Sequence, residues 1–92
     1  MSDIAPTLKP AIGRGFRLQW EPAQNAHVLL YPEGMVKLNV SAGEILKRCD
    51  GSRSVAAIVE DLEQAFSVAD LTNDVTAFMS IAIERKWIEL RE

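Results

Sequence analysis

Few residues of this 92-residue chain carry side chains that chemistry can use. There is one histidine, His27, and one cysteine, Cys49. A metal site needs several His, Cys or carboxylate ligands converging on one point. His27, at the edge of a predicted strand, reads instead as solvent-facing. A nucleophilic cysteine needs a base and a group to orient that base. His27 is the sole histidine for that role, so Cys49 reads as a small, partly buried structural residue at a helix end. Glu60, Asp61 and Glu63 form an acidic cluster. Paired carboxylates act as acid and base only in a defined cleft, and here the spacing is that of a solvated helix face. Gly13-Arg14-Gly15 lacks the preceding strand and following helix of a phosphate-cradling loop. The expectation is therefore a non-enzyme with no cofactor and no metal, whose function lies on its surface.

The bulk properties agree with a small soluble domain. Hydrophobic residues make up 48% and charged residues 25%, which excludes disorder of the whole chain. The formal net charge of −3 is distributed unevenly. Residues 1–50 hold six Lys/Arg against five Asp/Glu, and residues 51–92 hold four against eight. A nucleic-acid binder normally shows a basic face, so none is expected as a partner. No run approaches the roughly 18 apolar residues of a membrane span, and MSDIAPTLKP has no apolar run of signal-peptide length. With a single cysteine, the chain reads as cytoplasmic.

All four prolines lie at or before Pro32 and all five glycines at or before Gly51. The second half is thus free to be helical. Residues 1–15 read as a flexible arm with no assigned element, and residues 16–92 as the folded domain. Phe16 to Glu21 alternates strictly, predicting a half-buried strand with Phe16, Leu18 and Trp20 inward. His27 to Tyr31 is a second strand, central by its apolar run. In Tyr31-Pro32-Glu33-Gly34, Pro32 presets φ and Gly34 tolerates positive φ. Met35 to Asn39 makes a third strand and completes an antiparallel meander.

Ser41-x-x-Glu44 fits a capping box, with Val40 and Ile45 as its hydrophobic staple. It predicts a short helix to about Cys49, stopped by Asp50-Gly51. Ser54 caps a second helix with Val55, Ile58, Val59, Leu62 and Phe66 on one face. A third begins near Asp70 or Thr72, with Leu71, Val75, Phe78 and Ala82 inward. Met79 and Ile83 lie about 80–120° round from the start of that stripe. Trp87 to Leu90 reads as a last short strand or extended tail. The fold class is α+β: a three-stranded antiparallel sheet packed on three helices, winged-helix-like.

The third strand is paired on one side only. Such an edge is a liability unless short, charged or used, and a linear peptide can add to it as another strand. If the third helix lies beside this edge, Met79, Ile83 and the stem of Lys86 wall a groove. The bland alternative makes Met79 and Ile83 ordinary core residues.

The same elements carry a family pattern. Leu29-Leu30-Tyr31-Pro32-Glu33-Gly34, Leu38-Asn39, Ser41-Ala42, Glu44-Ile45-Leu46 and Cys49-Asp50-Gly51 occur in order. They are followed by Arg53-Ser54-Val55, Ile58-Val59, Leu62, Asp74-Val75, Phe78 and Trp87-Ile88. Over roughly residues 16–90 the chain resembles the PqqD family of pyrroloquinoline quinone biosynthesis. Ser67-Val68-Ala69 departs from the proline-type loop expected after the second helix. The resemblance implies a peptide chaperone that binds the precursor peptide PqqA. It further implies presentation of that peptide to the radical S-adenosylmethionine enzyme PqqE, which joins a Glu and a Tyr of it. The family takes its peptide as a strand between the third strand and the third helix. By position, that places the peptide against Met35, Val36, Lys37, Leu38 and Asn39, with Val75, Met79, Ile83 and Lys86 as groove residues.

Two other classes compete. A winged-helix nucleic-acid module has a similar layout, but Asp70 and Asp74 stand where Lys or Arg should meet phosphate. An enzyme built on Cys49 or His27 is the third. The exposed edge and the Pro-containing arm allow either a monomer or a weak, strand-exchanged homodimer.

Overall fold

Three strands and three helices form where the hydrophobic periods change, and a further pair of strands ties the chain ends together. The computed structural model describes residues 4–92. The order is β1 (Lys9–Ile12), β2 (Arg17–Glu21), β3 (Ala26–Tyr31), β4 (Gly34–Lys37), α1 (Val40–Lys47), α2 (Val55–Phe66), α3 (Thr72–Glu84) and β5 (Ile88–Arg91). The β2-β3-β4 meander is one sheet and the β1-β5 pair another. The expected α+β architecture is therefore present, with a second sheet added to it.

Leu18, Leu29 and Val36 are cross-strand partners. They therefore share a face of the meander. Leu29 is fully buried and the other two pack against the same core. The helices supply the rest: Leu46 from α1, Val55 and Ile58 from α2, Met79 and Ala82 from α3. Trp20, also expected inward, is 48% exposed. Its ring packs edge-on against His27, 5.0 Å between centroids, at the end of the ladder beside the 22–25 turn. Alternation identifies the face of a strand but not how far the opposing layer extends over it. His27 is half-buried, not solvent-facing. It packs on α1 where Gly43 stands, and a Cβ there would sit 2.8 Å from His27 Nδ1.

Helix starts differ from expectation in one instructive place. The Asn39 side chain, not Ser41, caps α1, accepting from the Ala42 N–H at 2.8 Å. Ser41 lies inside the helix. Val40 is 76% exposed, so it cannot staple Ile45. The Ser54 cap on α2 is as expected, accepting from Ala57 at 3.1 Å.

The stretch assigned no element is where the structure adds most. β1 pairs with β5 in antiparallel register from Lys9↔Arg91 to Ile12↔Ile88. The first two free N–H groups of α2, on Val55 and Ala56, donate to the carbonyls of Leu8 and Pro6 at 2.8 and 3.0 Å. Gly51 N–H donates to the Pro10 carbonyl at 2.9 Å. From residue 4 onward the expected flexible arm is built into the domain, and its first three residues lie outside those described. Pro6 and Pro10 lack N–H groups but offer carbonyls, and these are what the helix start and the Gly51 turn consume.

The Cys49-Asp50-Gly51 block is part of the same joint. Gly51 adopts φ +84°, Asp50 bridges Ala11, and its carboxylate accepts from the Ser52 N–H and hydroxyl. Gly34, by contrast, does not use a positive φ.

Candidate functional site

β4 is hydrogen-bonded to β3 and, among the described residues, to no other strand. The Leu38 N–H donates to the His27 carbonyl at 3.0 Å. With the register Leu29↔Val36 and Tyr31↔Gly34, antiparallel alternation makes Leu38, Val36 and Gly34 the residues that bond inward. Met35 and Lys37 therefore direct their N–H and C=O groups away from the sheet. Both side chains are exposed, Met35 at 50%.

This edge runs into a cleft of about 440 Å³. Asn39, Val40 and Ile45 form one wall, Leu62, Phe66 and Val68 the floor end, and Leu71, Asp74, Val75 and Phe78 of α3 the other wall. Exposed apolar groups rim it: Val40, Phe66 and Val68 are all close to half exposed or more. Exposed apolar side chains gathered around one concavity mark an interaction site more than scattered ones do.

Two hydrogen-bonded joints hold the walls. Arg48 Nη1 donates to the Glu44 carboxylate and carbonyl, both at 2.8 Å, and Arg48 Nε donates to Asp61 on α2. The Arg48 hydrogen bond is the main reason the Glu44 and Asp61 carboxyls are held below their ordinary values. Burial works to lower the Arg48 value, but bonds to Glu44 and Asp61 outweigh it and the guanidinium is held more firmly protonated. At the other end, Glu63 Oε2 accepts from the Leu71 N–H at 3.0 Å, fixing the approach to α3. The acidic cluster of α2 is therefore structural at two of its members.

The potential reactive groups are occupied or sealed. Cys49 is 1% exposed and its Sγ donates to the Ile45 carbonyl at 3.3 Å. Burial pushes its thiol up to about 12, so thiolate is scarce near neutral pH. Among the described residues no group of three His, Cys, Asp or Glu is placed to hold a metal ion, and no helix is long and apolar enough to cross a membrane.

The YPEG turn joins β3 to this edge strand, and the CDG block follows α1. The family model described as Coenzyme PQQ synthesis protein D (PqqD) matches residues 26–88. The chain belongs to the PqqD family. It is 56% identical over 92 residues to a protein of Stutzerimonas stutzeri named PqqA binding protein, covering 99% of this chain and 100% of that one. It is 61% identical over 91 residues to the protein of that name from Azotobacter vinelandii, covering 98% and 99%. Its fold matches the solution NMR structure of the PqqD truncation of Methylobacterium extorquens PqqCD, with a TM-score of 0.76, 27% identity and 96% of each chain covered. That structure is described as a functional, stand-alone recognition element for ribosomally synthesized and post-translationally modified peptides.

Within this PqqD-family fold the sequence-derived site residues separate. Met35 and Lys37 form the edge, with Val36 half-buried and Leu38 buried beneath it. Asn39 and Val75 line the cleft. Met79 does not: at 0% exposure it is core, as the bland reading had it. Ile83 lies about 140° round α3 from Phe78 by the helical period, and Lys86 sits beyond the helix in a left-handed turn at φ +67°. Of the residues expected from α3, Val75 lines this cleft and Met79 is core, while Leu71, at the start of α3, and Asp74 and Phe78 line the cleft as well. Periodicity located the apolar stripe of α3, but both of its flanks are apolar, and the flank that meets the cleft depends on packing. Phe66 and Val68 were also missed. Their signal was a Phe at the exposed end of α2 and a Val just past its cap, where polar residues are the norm.

Proposed function

We propose that this chain is a non-catalytic peptide-binding protein of pyrroloquinoline quinone biosynthesis that takes the precursor peptide PqqA as an added strand on β4, alongside α3, and presents it to the radical S-adenosylmethionine enzyme PqqE. The names of its near relatives and the recognition-element role of its structural neighbour support the ligand. The observation that carries the reading is the outward Met35 and Lys37 backbone of β4, whose continuation at Asn39 and Val40 lines the apolar cleft.

Energetics explain why both parts are needed. Micromolar binding corresponds to about 8 kcal/mol. Two outward residues offer at most four backbone bonds, each worth about 1 kcal/mol net. The remainder, and the cost of association, must come from apolar burial at about 25 cal/mol per Å². An aromatic or large aliphatic peptide side chain in the Val40–Phe66–Phe78 cleft supplies a burial of that order.

The test is an amide-resolved NMR titration of the labelled protein with synthetic PqqA peptide. Shifts concentrated at residues 35–40 and 71–78 are expected. Shifts confined to the β2 edge or the β1-β5 pair would move the site elsewhere. Silence at concentrations far above micromolar would mean that the chain alone does not take the peptide.

A further inference from the structure

The cleft contains two carboxylates and no cation among its lining residues. They are not equivalent. Glu44 is already paired, with Arg48 at 2.8 Å and Lys47 at 3.7 Å. Asp74 makes no ion pair among the described residues, and it stands exposed on the α3 wall between Leu71 and Phe78. Asp70, four residues earlier, is a second acid at the approach to α3. A bound peptide therefore meets apolar surface and one uncompensated negative charge on the same wall.

We propose that Asp74 is a specificity-determining residue of the peptide site, selecting a Lys or Arg within two residues of the apolar side chain that enters the cleft. This rests on the peptide-binding reading above. The geometry is that of an added strand, whose residues i and i+2 face the same side about 7 Å apart. One such side chain enters between Val40, Phe66 and Phe78 while its neighbour lies along the wall at Asp74. A carboxylate beside surface that peptide binding dehydrates attracts a cation more strongly than a fully hydrated one. It equally disfavours an acidic residue at that position, which is how a small groove rejects unrelated extended peptides. Asp74 also lies in the first turn of α3, where a negative charge suits the helix dipole. A purely helix-stabilising role would alter stability but not the charge preference of the peptide.

The experiment compares wild type and Asp74→Asn by calorimetric titration with synthetic PqqA peptide and with versions in which each Lys or Arg is replaced in turn by Gln. The asparagine variant is expected to bind the parent peptide about three- to tenfold more weakly and with a shallower salt dependence. One peptide replacement should produce the same loss in wild type and no further loss in Asp74→Asn, a coupling that stability effects cannot mimic. Asp74→Lys with a Glu-substituted peptide should recover binding. Unchanged affinity and salt slope in Asp74→Asn, or additive losses at every peptide position, would overturn the proposal while leaving peptide binding intact. If wild type binds no peptide, the functional reading itself falls.

Discussion

The Asn39 side chain accepts the Ala42 N–H at 2.8 Å, so α1 starts from a residue only two positions past the exposed edge strand. This one bond joins the two halves of the candidate site. β4 supplies backbone groups that point outward, and α1 begins the apolar wall after only Leu38 and Asn39. A side-chain oxygen capping a helix is typically worth about 1 kcal/mol, and here it also holds the angle between edge and cleft.

The edge can be blocked without unfolding the sheet. Lys37→Pro removes an outward N–H, and proline is tolerated on the solvent side of an edge strand. It should leave Tm within a few degrees of wild type while PqqA peptide affinity falls about tenfold or more. Val36→Pro removes an inward ladder bond to β3 and should lower stability substantially. Equal affinity of Lys37→Pro and wild type in a titration would rule out strand addition at β4.

The cleft rim at the end of α2 and the far flank of α3 give a second comparison. Phe66→Ser changes a half-exposed rim residue of the cleft and should weaken peptide binding about fivefold or more with an unchanged circular dichroism spectrum. Ile83→Ser, on the other flank, should cost stability but spare affinity in the protein that remains folded. Met79→Ala, in the core, should destabilise by about 2–4 kcal/mol. Denaturant melts and peptide titrations on the same three variants separate these effects, and a binding loss at Ile83 greater than at Phe66 would restore the flank expected from sequence.

The N-terminal segment is a structural strand. Deleting residues 1–12 removes the β1-β5 pairing and the acceptors for Gly51, Val55 and Ala56. Several backbone bonds at about 1 kcal/mol each, and about 4–8 °C of Tm per kcal/mol for a domain of this size, lead to an expected fall of 10 °C or more. A thermal melt of the truncated chain that coincides with the full chain would show the segment to be dispensable.

Arg48 links α1 to α2 and sets an acid-side dependence. Glu44 and Asp61 have ordinary values of 4.5 and 3.8 and are held below them in the folded protein. Their contribution is therefore complete above those ordinary values and is lost as pH falls through the lowered folded ones. Arg48→Met should lower Tm at neutral pH by about 5 °C and flatten the loss of stability below pH 4.5. Melts across the acid range check this, and an unaltered acid slope would place the pH dependence elsewhere.

Much of this was legible in the residues. The period-2 runs of β2 and β3, the Pro-Glu turn and the Ser54 cap follow from local geometry, because a strand or helix turn is decided by residues within reach of one another. The free edge followed from the same reading, since a third strand with no fourth has one unpaired side. The YPEG and CDG blocks carried the family for the same reason: they are short, local and ordered. β1 was not legible, because its partner, β5, lies at the far end of the chain and its prolines suggest a break where the fold uses their carbonyls. Asn39 took the cap from Ser41 because the sheet ends sooner than the apolar pattern does. The α3 stripe was plain from its period, but its orientation was not. Helix 3 offers apolar groups on both flanks, and only its packing against α2 and β5 turned Phe78 toward the cleft and sealed Met79 in the core. Sequence alone thus determined the meander, the three helices and the family. Tertiary packing decided which side of each element meets solvent, because burial depends on neighbours distant in the chain.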